Sequence, residues 1–322
     1  MESQANFRET PMSIHLSTDL PGASESDTSE VERRRPGRAD NVSGNLLPLL
    51  RTEPDANPLE ALSLPTVHDT PQLDRMRKAC AACRKPKAVP AISMAFQPIV
   101  DLQEHRIDAY EALVRGVNGE GAAEMLKWAA GDNLYAFDQA CRVKAIELAA
   151  GLGIDRNLNI NFLPNAVYQP RACIRATLDA AARTGFDLRR LTFEIVETES
   201  IADTSHLLNI IKEYRKMGFR VALDDFGTGY SGLARLAALR PDTIKVDRAL
   251  VQDCDLHQVR LAIVASIIAL GAAIGIKVVV EGVERLGEVE ALRGVGARFA
   301  QGFYFAKPAF EKLLYETEIT GL

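Results

Sequence analysis

RVALDDFGTGYSGL, residues 220–233, carries an apolar strand into a run of glycines, Gly227-Thr228-Gly229-Tyr230-Ser231-Gly232, with an acid, Asp247, further on. The spacing fits the dinucleotide fingerprint G-x-G-x-x-G. Asp224 and Asp225, however, stand immediately before the glycines, where the fingerprint places a small apolar residue. A pyrophosphate on that loop would face two adjacent carboxylates, and like charges at such range resist shared ionisation unless a cation lies between them. The stretch points away from an open nucleotide-binding sheet and toward a strand end that holds metal.

On either side of it, from about residue 92, short β-rich runs alternate with helical segments. MAFQPIV and IDAYEALVRG come first, then a helical stretch over 133–152, NLNINFL, a helix near 171–184, LTFEIVE and a helix near 204–217. RVALDDF, a helix near 231–239, DTIKVD, a helix near 257–275, KVVVEGV, a helix near 286–293 and ARFAQGFYF complete the series. Seven or eight strands with intervening helices in about 230 residues is the count and length of an α/β chain folded as a (β/α)8 TIM-like barrel. Only a turn separates the first two runs, so that pair is predicted to be antiparallel and the barrel irregular.

In a barrel the reacting side chains collect at the C-terminal ends of the strands. The apolar runs here end in polar residues that a core would not tolerate unpaired: Glu111, Asn161, Glu194, Asp224 with Asp225, Lys245 with Asp247, Glu281 and Gln301. A single acid at a strand end has a plain use as a helix N-cap or rim ion pair. A whole ring of them facing one mouth needs positive compensation, which hard divalent cations such as Mg²⁺ or Mn²⁺ supply through oxygen ligands. Two such ions suit in-line attack on a phosphodiester, with Asp224 as a bridging carboxylate. Lys245 is placed to hold the attacking water or neutralise developing charge. Arg115 offers a fork for a phosphate oxygen, although a rim ion pair fits its spacing nearly as well. Gly227 and Gly229 would be the joints of a loop beside the metals.

The remaining composition sets bounds. The 322 residues are 47% hydrophobic, enough for a proper core, and the net charge of −5 argues against a surface for polymeric nucleic acid. Residues 1–75 are rich in Ser, Pro and charge and carry one aromatic, Phe7, so a disordered tail is expected there, open to a protein partner. Residues 76–91 read as a linker ahead of a domain over 92–322. Cys80 and Cys83 within the linker form a lone C-x-x-C that only a second chain could complete as a zinc site. Five scattered cysteines argue against a disulfide framework, and no apolar run suggests a leader or a membrane span, so a cytoplasmic location is expected.

FQPIVDL, EALVR, NINF, FEIVETE, DDFGTGYSGL, IKVD, EGVE and QGFYFAKP occur in one order over roughly residues 92–315, and this set resembles the EAL family of cyclic-di-GMP phosphodiesterases. The family takes its name from the tripeptide at Glu111-Ala112-Leu113. The resemblance implies a barrel that hydrolyses cyclic-di-GMP to linear pGpG with Mg²⁺ or Mn²⁺. It implies Glu111, Asn161, Glu194 and Asp224 as ligands of one metal, and Asp224, Asp225 and Glu281 as ligands of the second. Lys245 would assist the attacking water with Gln301 as its neighbour, and Glu197 would anchor the glycine loop. Gln97, Leu113 and Arg115 would touch the nucleotide, and a homodimer through the face near the glycine loop is expected. NFLPNAVYQP is similar to the branch joined to blue-light-sensing domains. The competing readings are a catalytically silent cyclic-di-GMP receptor and, by fold analogy alone, a metabolic barrel enzyme acting on another phosphate.

Overall fold

The computed structural model describes residues 89–128, 133–167, 169–196, 204–229 and 232–322. The expectations for residues 1–75, for Cys80 and Cys83, and for Glu197 fall outside these residues.

Two strands, β1 (Ile92–Asp101) and β2 (Arg106–Gly116), form the predicted antiparallel pair, with Gln97 opposite Glu111. Six parallel strands follow: β3 (Asn157–Asn161), β4 (Leu191–Val196), β5 (Arg220–Phe226), β6 (Thr243–Val246), β7 (Lys277–Val280) and β8 (Phe299–Ala300). β8 pairs back onto β1, which closes an eight-stranded barrel in which β1 alone runs against its neighbours. A ninth strand, β9 (Ala309–Phe310), continues along the same edge of β1.

Helices clothe the outside: α1 (Ala122–Leu126), α2 (Leu134–Gly151), α3 (Pro170–Cys173), α4 (Arg175–Thr184), α5 (Thr204–Lys216), α6 (Gly232–Leu239), α7 (Arg248–Val251), α8 (Gln258–Ile274) and α9 (Leu286–Gly294). Every residue of β1 is buried, because α2 packs on it and the C-terminal segment covers the rest. Ser93 Oγ donates to Glu311, Glu311 N to Met94 O, and Tyr110 Oη to Leu314 O.

The period-2 geometry of the strands sets what lies on each side. Phe193 points outward and Glu194 inward; Phe162 follows the inward Asn161 and packs on the same outer layer. Phe162, Phe193, Tyr214 and Phe219 stack with ring centroids 5.1–5.8 Å apart. Each such pair adds about 0.5–1.5 kcal/mol beyond simple burial. This cluster clamps β3 and β4 against α5. Inside the barrel Ile99, Ala109 and Val279 pack together with Phe299. They sit two residues behind Gln97, Glu111, Glu281 and Gln301 on their strands, so an apolar plug underlies the polar mouth.

Candidate functional site

Above the plug the inward side chains are polar and deeply held. Glu194 and Lys245 are shut away from solvent at 0% and 1% exposure, whereas Asn161 is exposed and Asp225 and Glu281 are half-buried. The site is thus a funnel, with its charge concentrated at the bottom and its outermost oxygens at the mouth.

Lys245 lies at the centre. Its Nζ is 2.7 Å from Glu281 Oε1, 2.9 Å from Glu194 Oε1, and 3.3 Å from both Glu111 Oε2 and Asp224 Oδ1. Gln301 Nε2 donates to Glu111 Oε2 at 2.8 Å and to Gln97 Oε1 at 3.1 Å, while Gln97 Nε2 donates to Ala306 O. Asn161 Nδ2 donates to the other oxygen of Glu111 at 3.0 Å. Asp224, Asp225 and Glu281 each bring an oxygen within 4.8 Å of the other two. Asp225 holds this place with φ of 54°, a left-handed backbone that a non-glycine residue adopts only at some cost.

Burial and mutual repulsion decide the protonation of the group. Burial opposes an ammonium at Lys245, but Asp224, Glu111, Glu194 and Glu281 together hold its pKa well above the ordinary value. Burial works against ionised Glu111 too, and there Lys245 with the donors Gln301 and Asn161 prevails, so its pKa is lowered. Glu194 and Glu281 go the other way. Desolvation, with repulsion from neighbouring carboxylates, raises both well above the usual range despite Lys245. Asp225 is pushed up to about 6 by burial and by Asp224 and Asp247.

One ammonium cannot balance five carboxylates, and the donor set shows the deficit. Glu194 Oε2 and Gln301 Oε1 are buried with no hydrogen-bond partner among the described residues. Buried orphan acceptors are uncommon and call for a ligand, ion or water. Hard oxygen donors, excess negative charge and an unmatched carboxylate oxygen fit divalent cations of the Mg²⁺ and Mn²⁺ type.

The structure therefore gathers Gln97, Glu111, Asn161, Glu194, Asp224, Asp225, Lys245, Glu281 and Gln301 in one mouth. Leu113 and Arg115 lie further along β2, beyond the hydrogen-bonded cluster; Arg115 Nη1 donates to Val114 O, and among the described residues it forms no ion pair. Asp247 is the N-cap of α7, accepting from Ala249 N at 2.7 Å. Asn159 was not singled out from sequence, yet its Nδ2 donates to Glu194 Oε1 at 2.8 Å. Its signal was available: it precedes Asn161 by two residues and shares its face of β3.

Residues 84–308 match the model of the EAL domain. A standalone EAL protein from Vibrio cholerae, solved in a c-di-GMP-bound form, superposes with a TM-score of 0.68 at 45% identity, covering 71% of this chain and 97% of that one. The Klebsiella pneumoniae BlrP1 manganese/cy-diGMP complex gives 0.66 at 35% identity, covering 71% of this chain and 59% of the other. The uncharacterized protein y4lL of Sinorhizobium fredii is 33% identical over 227 residues, 67% of this chain and 27% of its own. The chain spans roughly a quarter of the length of curated relatives such as this one. With the barrel, its reversed first strand and the carboxylate mouth all in place, the chain belongs to the EAL domain family.

Proposed function

We propose that this protein is a metal-dependent phosphodiesterase that hydrolyses cyclic-di-GMP to linear pGpG. The observation that carries the reading is the donor set of the mouth: Glu111, Asn161, Glu194, Asp224, Asp225 and Glu281 are all present around Lys245, with a surplus of negative charge and an unmatched buried carboxylate oxygen. A silent receptor has no need to keep every one of these acids in a repulsive cluster. The cyclic dinucleotide bound to the Vibrio cholerae relative and the manganese in BlrP1 supply the ligand and the metal class.

Glu111, Asn161, Glu194 and Asp224 would hold one divalent ion, and Asp224, Asp225 and Glu281 the other, either Mg²⁺ or Mn²⁺. When bound, the pair supplies Lewis acidity that offsets phosphate charge and makes water ionisable near neutral pH. Lys245, anchored from four sides, keeps an ammonium at the floor of the site to stabilise charge that develops there. Gln301 fixes Glu111 and is itself fixed by Gln97. Leu113, Arg115 and Gln97 would meet the nucleotide, with the fork of Arg115 on a phosphate oxygen. Glu197 would hold the glycine loop.

A cytoplasmic homodimer completes the reading. No helix among the described residues is long and apolar enough to cross a membrane. The pairing would run through the face near the glycine loop, and the exposed Val259 and Ile263 of α8 offer further apolar surface to a second copy. The segment ahead of the domain would serve regulation through a protein partner.

Incubation of the purified protein with cyclic-di-GMP, with and without Mn²⁺, tests the main point. Linear dinucleotide is expected only with metal. Tight binding of intact cyclic nucleotide in Mn²⁺ with no product would make the chain a receptor.

Metal affinity is expected to rise with pH. In the metal-free protein Asp225 titrates at about 6, and Glu194 and Glu281 keep protons above the ordinary carboxylate range. A cation needs these groups ionised, so it must displace their protons, and acid competes with it. Calorimetric titration of Mn²⁺ at pH 6 in two buffers of different ionisation enthalpy should show net proton release. Equal apparent heats, with affinity flat from pH 5 to 8, would contradict the assignment.

A further inference from the structure

The four-residue helix α7 sits between the loop that follows Asp224 and Asp225 at the end of β5 and the loop that begins with Glu281 after β7, and it touches both. On one side is the loop after β5. Gly227 has φ of 106°, and a Cβ built there would lie 2.5 Å from Leu250 Cδ1, so the backbone of that loop rests on the Leu250 side chain. On the other side is the loop after β7. Gly282, next to Glu281, has φ of 70°, and a Cβ there would lie 2.4–2.9 Å from the side chain of Arg248. Arg248 Nη2 also holds Glu284 Oε1 at 2.9 Å.

The ends of the helix are tied to the same strands. Asp247 N donates to Phe226 O at 3.2 Å, and its carboxylate caps α7 from a position where its charge acts on Asp225. Glu281 N donates to Val246 O at 3.0 Å, and Val251 is fully buried, which pins the far end. A rigid piece wedged between the two loops that adjoin these carboxylates sets their separation, because well-packed contacts have little room to drift. We propose that α7 is a strut for the second metal position, with Leu250 and Arg248 as the positioning residues that fix Asp224–Asp225 against Glu281. The assignment rests on the reading of Asp224, Asp225 and Glu281 as metal ligands and adds to it what holds them at the right distance.

Neither residue offers an oxygen ligand, so their effect must pass through geometry. Supporting contacts behind metal ligands are worth about 10–100-fold in affinity. Leu250→Ala removes the seat under Gly227, and Arg248→Ala removes both the packing on Gly282 and the tie to Glu284. Each is expected to weaken Mn²⁺ binding about tenfold, whereas Leu250→Met and Arg248→Lys, which keep most of the volume, should stay near the parent protein.

The test measures Mn²⁺ binding to the full chain by electron paramagnetic resonance of free Mn²⁺, with the unfolding midpoint recorded separately in EDTA. Loss of affinity in the two alanine variants, recovery in the conservative ones, and metal-free midpoints close to that of the parent support the strut. Arg248 is half-exposed, so its variants are expected to fold even where Leu250→Ala does not. Parent-like affinity in Arg248→Ala and Leu250→Ala overturns the strut and leaves the metal ligands standing. Affinity lost in proportion to metal-free stability, in the conservative variants as well, makes the helix merely structural and equally overturns it. If the parent protein binds no Mn²⁺, the ligand assignment falls and the strut with it.

Discussion

Glu111→Ala is expected to lower cyclic-di-GMP hydrolysis by at least about 100-fold, the upper range for losing only the partner behind a ligand, and to leave the fold intact. The structure supports both halves. Glu111 supplies carboxylate oxygens to Lys245, Gln301 and Asn161, so it is the common acceptor of one side of the mouth. Its loss removes an oxygen donor from one proposed metal position and releases the two amides that orient it. The barrel itself loses little. Asn161 is exposed and can turn to water, Gln301 Nε2 keeps Gln97 Oε1, and Lys245 retains Glu194, Asp224 and Glu281. Removing one of several mutually repelling carboxylates also relieves strain in the metal-free state. The unfolding midpoint in EDTA should therefore stay within about 5 °C of the parent. Parent-like turnover in Mg²⁺ or Mn²⁺ would remove Glu111 from the site, and a collapsed midpoint would make it a structural residue.

Much of this geometry was legible because strand alternation is a strong constraint. A run such as LTFEIVE can bury Phe193 and Ile195 outside the barrel only by turning Glu194 inward, and the same parity places Asn161, Asp224, Lys245 and Glu281. The antiparallel first pair followed from the short turn between two β-rich runs. What alternation cannot give is distance. That Lys245 is held by four carboxylates at once depends on how far each strand is staggered around the barrel, which no single run encodes. Asn159 escaped notice because an amide in mid-strand looks like any tolerated polar residue until Glu194 is seen beside it. α7 has four residues, too few for a helical period to appear. The C-terminal segment bonds to β1 and β2 through Glu311, Leu314 and Glu316, contacts spanning about two hundred residues of sequence that local pattern does not reach.

Lys245→Met should have the largest effect on the metal-free protein. The substitution keeps an unbranched chain in the same space and removes the ammonium that lies within 3.3 Å of Glu111, Glu194, Asp224 and Glu281. Breaking a buried ion cluster by deleting one partner costs about 3–5 kcal/mol, since the remaining charges stay buried without compensation. For a domain of this size that is a fall of roughly 10 °C in the EDTA midpoint. The sign of the pH dependence follows. Without Lys245, only the amides of Gln301 and Asn161 are left to oppose the desolvation of Glu111, so its folded pKa is expected to rise above the unfolded value as those of Glu194 and Glu281 already do. A carboxyl with a raised folded pKa contributes stability below its unfolded pKa and loses it as pH climbs through the folded one. The variant should accordingly unfold most readily at alkaline pH and approach the parent in acid. Saturating Mn²⁺ should restore the midpoint, because divalent charge replaces the missing ammonium, yet hydrolysis should stay depressed by about 10²–10³-fold if Lys245 also stabilises charge in the reaction. Recovery of turnover together with stability would reduce Lys245 to a counter-ion, and an unchanged metal-free midpoint would show that the four carboxylates do not depend on it.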